Sequence, residues 1–373
     1  MAQSRITLLV PDLPRRSEIE PYLKEIDEAR WYTNFGPLCE RLESGLRATF
    51  PKPYPALTTT VNGTLALELA LASMHLPQGA RVLIPAFTFV ATASAVIRAG
   101  FNPVIADIDP SSWLLTPAIA RSAMRQGRID CVIPVAALGC PVPADEWDEF
   151  CAGTGIPVLV DAAGAFGNQM PGERIALAFS LHATKAFGIG EGGLVVSRED
   201  ALIEQVRQLC NFGIDSSSGL APFAGTNAKM SEFHAAVGLA SLNRWAARRR
   251  MREALHRRYC SELIRSCPGI TMQTRPSDGS YTILQVLLPT LADRDDVAYH
   301  LAIQNIETRA WYLPLLPQHP AYAGVGKCEI PVARELAPRM LGLPFHLDLS
   351  EEDISRVCTS LADAPGLNSR HPK

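Results

Sequence analysis

The chain has 373 residues, 47% of them hydrophobic and 20% charged, which is long enough to predict two domains and apolar enough to exclude wholesale disorder. A formal net charge of −3 argues against a phosphate backbone as partner, so a small-molecule site is expected and no nucleic acid. The run from Ile6 to Val10 is too short for a secretory core, and no later stretch reaches eighteen uninterrupted apolar residues; the reading is a cytoplasmic protein with no membrane partner.

From about residue 55 to 215, short β-rich runs alternate with helical patterns, which predicts an α/β fold with a mostly parallel sheet. Strands are expected at 81–84, 102–106, 131–135, 158–161, 176–181 and 193–197, several of them apolar throughout as buried parallel strands are. Helices are expected at 63–74, 89–99, 116–126, 143–153 and 198–212. A long helical pattern then runs from 230 to about 266. Its basic run RWAARRRMREALHRRY reads as a solvated face, because Trp245, Met251, Leu255 and Tyr259 recur between the charges at helical spacing. Beyond it come a strand at 282–289, a helix at 293–306, an ordered loop WYLPLLPQHPAY and a closing helix at 351–362, with the last ten residues frayed. The expected division is a large domain, 1–249, and a small one, 250–373. Nine scattered cysteines with no C-x-x-C pair predict neither a disulfide framework nor a metal site.

Two segments carry chemistry. VLVDAAGAFG ends a buried strand in Asp161, and ALAFSLHATKAFGIGEGG places Lys185 after a strand and before a glycine-rich turn. A lysine in a partly desolvated pocket is neutral and nucleophilic toward an aldehyde; an ordinary surface lysine is the alternative. Asp161, at the strand end where open α/β sheets bind ligands, suits the carboxylate that keeps a pyridinium nitrogen protonated, with a helix cap as its alternative. In TTTVNGTLALELALASM, small polar residues and Gly63 lead into a helix, an arrangement that holds a phosphate, although Asn62 and Gly63 make an ordinary turn equally well. Together the three describe a pocket for pyridoxal phosphate (PLP). No G-x-G-x-x-G follows an early strand, which sets a nucleotide-binding oxidoreductase aside.

These segments, with NFGPLCERLESGL, IPAFTFVATASAVIRAGFNPVIADID, GTNAKMSEFHAAVGLASL and LPFHLDLSEEDISRV, occur in an order and spacing that resembles the DegT/StrS family of PLP-dependent sugar aminotransferases from about residue 30 to 360. The resemblance implies PLP fold type I: a large domain with a mostly parallel seven-stranded sheet between helices, and a smaller C-terminal α+β domain. It implies PLP on Lys185, Asp161 at the pyridine nitrogen, and Ser180, Gly63 and Thr64 at the phosphate. Phe89 would stack on the cofactor ring, unless it is ordinary core packing. Asn227 would reach a neighbour's phosphate across a homodimer with shared sites, residues 230–242 offering apolar side chains to the partner; capping the next helix is its alternative. His182 either relays protons or packs. The implied substrates are L-glutamate and a nucleotide-linked keto sugar, a dTDP- or GDP-4-keto-6-deoxyhexose in the making of a surface polysaccharide or glycosylated metabolite. A 3-keto sugar, or a non-catalytic regulator keeping the fold, are alternatives; a related dehydratase would carry histidine where Lys185 stands.

The chain also departs from the family pattern. Asn62 leads an N-G-T where S-G-T is usual, Gly164 replaces a glutamine that helps hold the cofactor's phenolic oxygen, and Ala136 and Phe212 replace histidines. Lys229 stands for a customary arginine. These changes fall on the substrate side and leave the exact sugar open.

Overall fold

The computed structural model describes residues 4–290 and 292–367. Two helices, α1 (Arg16–Ala29) and α2 (Pro37–Arg47), precede an alternating stretch: β1 (Ala56–Thr60), α3 (Gly63–Ala72), β2 (Arg81–Pro85), α4 (Val90–Arg98), β3 (Asn102–Ala106), α5 (Pro117–Gln126), β4 (Cys131–Val132), α6 (Ala144–Thr154), β5 (Leu159–Asp161), β6 (Ala176–Ser180), β7 (Gly193–Ser197) and α7 (Asp200–Cys210). The long α8 (Glu232–Ser266) leads to β8 (Thr271–Met272), β9 (Leu284–Leu287), α9 (Arg294–Ile303), β10 (Gly326–Lys327), α10 (Pro331–Leu336), β11 (Met340–Leu343) and α11 (Glu351–Ala362).

Strands β1-β7-β6-β5 and β4-β2-β3-β10 are hydrogen-bonded in those orders. Parallel bridges from Val132 to Val158 and from Val135 to Asp161 join the two into one sheet. Only β7 runs antiparallel to its neighbours β1 and β6; the two-residue β10 adds an eighth strand at the edge, parallel to β3. Strands β2, β3, β6 and β7 are buried along almost their whole length, because helices cover the sheet. This is the architecture of PLP fold type I. Its parallel topology turns the carboxyl ends of β2, β3, β5 and β6 toward one edge, where such sheets bind ligands.

β1 was not expected, since its sequence ALTTT has three threonines. All three are fully buried, and their hydroxyls are satisfied: Thr59 donates to Glu43 at 2.8 Å and Thr60 to the Asn62 carbonyl at 2.9 Å. Glu43 in turn receives Arg207 at 2.9 Å, so this polar knot in the core is paired throughout. The strand expected at 131–135 is shorter, with Val135 forming a lone bridge, and the helix expected to reach 306 ends at Ile303. The proline-rich loop is ordered into two short turns, Leu316–Gln318 and Pro320–Tyr322.

Two apolar cores are present among the described residues. The first surrounds the sheet; the second gathers Leu255, Tyr259 and Leu263 of α8 with β9, β11 and α11. Ile6 belongs to the second core and bridges to Ile306, so the N-terminal segment packs with the C-terminal residues. Helix α8 runs unbroken through residues 249 and 250 and feeds both cores. We propose a division inside α8, with the segment around Ile6 assigned to the small domain. Of the last ten residues, expected to be frayed, 368–373 lie outside the described residues, while Ala364 is fully buried.

The basic run of α8 differs from expectation. Trp245, Leu255 and Tyr259 are buried, but Met251 is 45% exposed. Arg250, Arg257 and Arg258 are exposed as expected, but Arg244, Arg248 and Arg252, spaced four apart and therefore on one face, converge on Asp12.

Candidate active site

Asp161 ends β5 and Ser180 ends β6, and the register sets Asp161 opposite Ala178, so both side chains emerge at one sheet edge. The chain then makes a tight turn back to β7. Leu181 N–H donates to Gly192 O and Ala183 N–H to Gly190 O, both at 2.8 Å, and Gly190 adopts φ +96°, a conformation that favours glycine. Lys185 sits on this turn, its own N–H donating to His182 O at 2.9 Å.

Asp161 is 5% exposed. Its Oδ2 accepts from Thr92 Oγ1 at 2.7 Å and its Oδ1 from Ala163 N–H at 3.1 Å. Because Thr92 spends its proton on the carboxylate, the 2.8 Å contact between Thr88 and Thr92 is a donation from Thr88. Burial pushes the Asp161 carboxyl up from its ordinary range, against the lowering by those two bonds and by Lys185. Burial likewise pushes the Lys185 ammonium down, and Asp161 opposes it. The amine is thus readied to be neutral, and the carboxylate is held by neutral donors. Tyr312 lies beside them, its ring 5.2 Å from that of Phe87, with its phenol pushed up by burial and then by the Asp161 charge.

The phosphate cradle is built by close approach. A Cβ on Gly63 would lie 2.7 Å from Cβ of Ser180, so only glycine lets α3 begin against the end of β6. Asn62 caps α3, its Oδ1 accepting from Leu65 N–H at 2.9 Å, which leaves the Gly63 and Thr64 N–H groups without an intrahelical partner. Phe89, 55% exposed at the start of α4, is not core packing.

Asn227 is exposed and does not cap α8, whose cap is Ser231. Its Oδ1 accepts from Lys229 Nζ at 2.8 Å, and that ammonium also lies 4.6 Å from the Phe212 ring centroid. Two departures from the family pattern, Phe212 and Lys229, are therefore in contact with each other. His182 is held locally: Thr184 N–H donates to Nδ1 at 3.3 Å, leaving the proton on Nε2, 3.7 Å from Glu191. Gly164 sits where its Cβ would lie 3.4 Å from Gly139 N. Among residues 230–242, Met230, Ala235, Ala236, Leu239 and Ala240 are buried in their own chain, and Phe233 is the large apolar residue left exposed. Thr92, Thr88 and Tyr312 were missed by sequence reasoning; the small polar residues of TFVATAS were the one local signal for Thr92.

Residues 15–362 match the sequence model of the DegT/DnrJ/EryC1/StrS aminotransferase family. The chain belongs to this family. It is 30% identical to the dTDP-4-amino-4,6-dideoxy-D-glucose transaminase of Shigella dysenteriae, over 95% of this chain and 97% of that one. Its fold is similar to that of DesI, solved in the presence of its TDP-sugar product, with TM-score 0.86 and 30% identity over 96% of this chain and 92% of that one. DesV of S. venezuelae is similar too, with TM-score 0.86 and 26% identity over 97% and 98% of the two chains. This DegT family member is an enzyme, a PLP-dependent aminotransferase, as the family match and the fold shared with a PLP-dependent aminotransferase of Bacillus cereus (TM-score 0.90, 28% identity over 96% of this chain and 100% of that one) together show. The side chains present fit PLP: a half-buried amine whose ammonium is pushed down by burial, a buried carboxylate bonded only by neutral donors, and a glycine cradle at a helix N-terminus.

Proposed function

We propose that the protein moves an amino group from L-glutamate to a nucleotide-linked keto sugar, a dTDP- or GDP-4-keto-6-deoxyhexose, in cytoplasmic biosynthesis of a surface polysaccharide or glycosylated metabolite. The observation that carries this reading is the half-buried Lys185 amine, within the field of the buried Asp161 carboxylate, beside the capped N-terminus of α3. The nucleotide-sugar side is supported by the names of the Shigella relative and of DesI. When bound, PLP supplies an electron-withdrawing ring that spreads negative charge from the donor's Cα and stores the amino group between the two half-reactions.

The side chains divide the remaining tasks. Lys185, freed as an amine, would take the proton from the donor's Cα and deliver it to C4′ of the cofactor within the first half, as base and then acid, and would move a proton from C4′ to the sugar carbon in the second. Asp161 holds a proton at the pyridine nitrogen, and Thr92, itself bonded by Thr88, fixes the carboxylate's angle. Ser180 and the Gly63 and Thr64 N–H groups would hold the phosphate, and the exposed ring of Phe89 would stack on the cofactor. A panel of nucleotide-linked keto sugars with glutamate, read by mass, tests the reading. A mass increase of about one unit on a dTDP- or GDP-4-keto-6-deoxyhexose, as C=O becomes CH–NH2, is the expected outcome; no product from any member sinks it.

We further propose a homodimer with composite sites. Exposed Asn227 and the exposed apolar side chains Trp31, Tyr32, Phe212, Phe223 and Phe233 support it, with Tyr32 and Phe233 stacked 6.1 Å apart. Asn227→Ala alone is expected to weaken PLP binding clearly. Co-folded Lys185→Ala and Asn227→Ala chains then form hybrid dimers in which one site keeps both residues, so part of the activity returns. Verified heterodimers without recovery would show that Asn227 is not shared.

A further inference from the structure

The buried end of the site holds a string of hydroxyls whose direction is fixed. Thr88, Thr92 and Asp161 are all buried, Thr92 completely. Thr92 Oγ1 donates to Asp161 Oδ2 at 2.7 Å, so its oxygen is left to accept, and Thr88 Oγ1 supplies that proton at 2.8 Å. A threonine within a helix commonly returns its hydroxyl to a carbonyl of the preceding turn; Thr92, in the first turn of α4, sends it to a strand end 69 residues away. Ala163 N–H meets the other carboxylate oxygen at 3.1 Å, and neither bond brings a charge. Among the described residues, the titratable groups that share a field with the carboxylate are Lys185, on the turn after β6, and Tyr312, on the loop after α9, whose phenol stays protonated through burial and the Asp161 charge. Of the groups that hold the carboxyl down against burial, Thr92 comes first, ahead of Ala163 and Lys185.

We propose that Thr92 and Thr88 are positioning residues of the reaction, whose linked hydroxyls keep the Asp161 carboxylate too weak a base to take the proton from the cofactor's pyridine nitrogen. In a dry site, an ion pair of pyridinium N–H and carboxylate competes with the neutral pair formed when that proton crosses to the oxygen, and burial favours the neutral pair. A hydroxyl that spends its proton on the charged oxygen favours the ion pair, and a second hydroxyl behind it polarises the first. Valine at either position would bury without needing a partner, so packing alone does not call for the two hydroxyls. Phe89 caps the same turn of α4, so residues 88–92 serve both the face of the ring and its nitrogen. The assignment rests on the reading that places Asp161 at that nitrogen.

PLP carrying the heavy nitrogen isotope in its ring, loaded into the enzyme and followed by NMR, is the probe, because its resonance reports whether the nitrogen holds a proton. The wild type is expected at the protonated position. In Thr92→Val the resonance is expected to move toward that of the neutral ring, and the half-reaction with glutamate to slow by about 10- to 100-fold, the scale of one hydrogen bond to a charged group. Thr88→Val is expected to move the resonance the same way by less, and it carries the test if Thr92→Val does not fold. Thr92→Ser, which keeps the hydroxyl, is expected to stay at the wild-type position. A merely structural role would slow the half-reaction and leave the resonance in place; that result in the folded valine variants, or a wild type with an unprotonated nitrogen, overturns the assignment. Asp161→Asn separates the two readings: if it moves the resonance while the valine variants do not, only the role of the threonines fails, and if it too leaves the resonance in place, Asp161 is not at the nitrogen and both fail.

Discussion

Replacing Lys185 with alanine is expected to give a folded protein with no visible cofactor band and activity down by about 10⁴-fold or more, since nucleophile, acid and base are lost with one amine. Lys185 is the residue that combines a depressed ammonium with a nearby carboxylate at the sheet edge. Lys229 is the obvious rival, being buried and also lowered by burial, but its nitrogen is engaged by Asn227 and by the face of Phe212. Borohydride reduction of the wild type should therefore fix the cofactor on the peptide containing SLHATK. Label on the Lys229 peptide, or none, would refute the assignment.

Asp161→Asn keeps the shape of the side chain and removes its charge. The half-reaction with glutamate is expected to slow by roughly 10²- to 10³-fold or more, the scale of losing one well-placed electrostatic partner. Folding should survive, because the buried carboxylate is met by neutral donors and an amide carbonyl still accepts from Thr92. A pH measurement separates this role from a structural one. Burial lowers the Lys185 ammonium and the Asp161 charge holds it up, so removing that charge lowers it further. Cofactor capture by the apoprotein, which needs the neutral amine, should then persist to lower pH in Asp161→Asn than in wild type. Near-normal turnover, or a shift to higher pH, contradicts the proposed role.

Much of the fold was legible because buried parallel strands are apolar along their length: residues 102–106 and 193–197 are strands as read, and the helices between are displaced by a few residues at most. β1 was not legible, since its threonines become core residues only through Glu43 and Arg207, which is 149 residues from Thr58. Asp161 and Lys185 announced themselves by position at strand ends. Thr92 did not, because its bond to Asp161 spans 69 residues and no local pattern encodes it. The arginines of α8 divide: Arg250, Arg257 and Arg258 are exposed as read, whereas Arg244, Arg248 and Arg252 misled, because charge spacing reports which residues share a face and what that face meets was decided by Asp12, 232 residues before Arg244.

Helix α8, with 35 residues, is about 52 Å long at 1.5 Å per residue. Ala235 and Leu239 belong to the core around the sheet, and Leu255, Tyr259 and Leu263 to the other. A rod anchored at both ends couples the fates of its two anchors: melting either core strips from half of the helix the tertiary packing that supplies most helical stability in proteins. A lesion in the small domain is therefore expected to reach the sheet through this helix, without any contact near the cofactor.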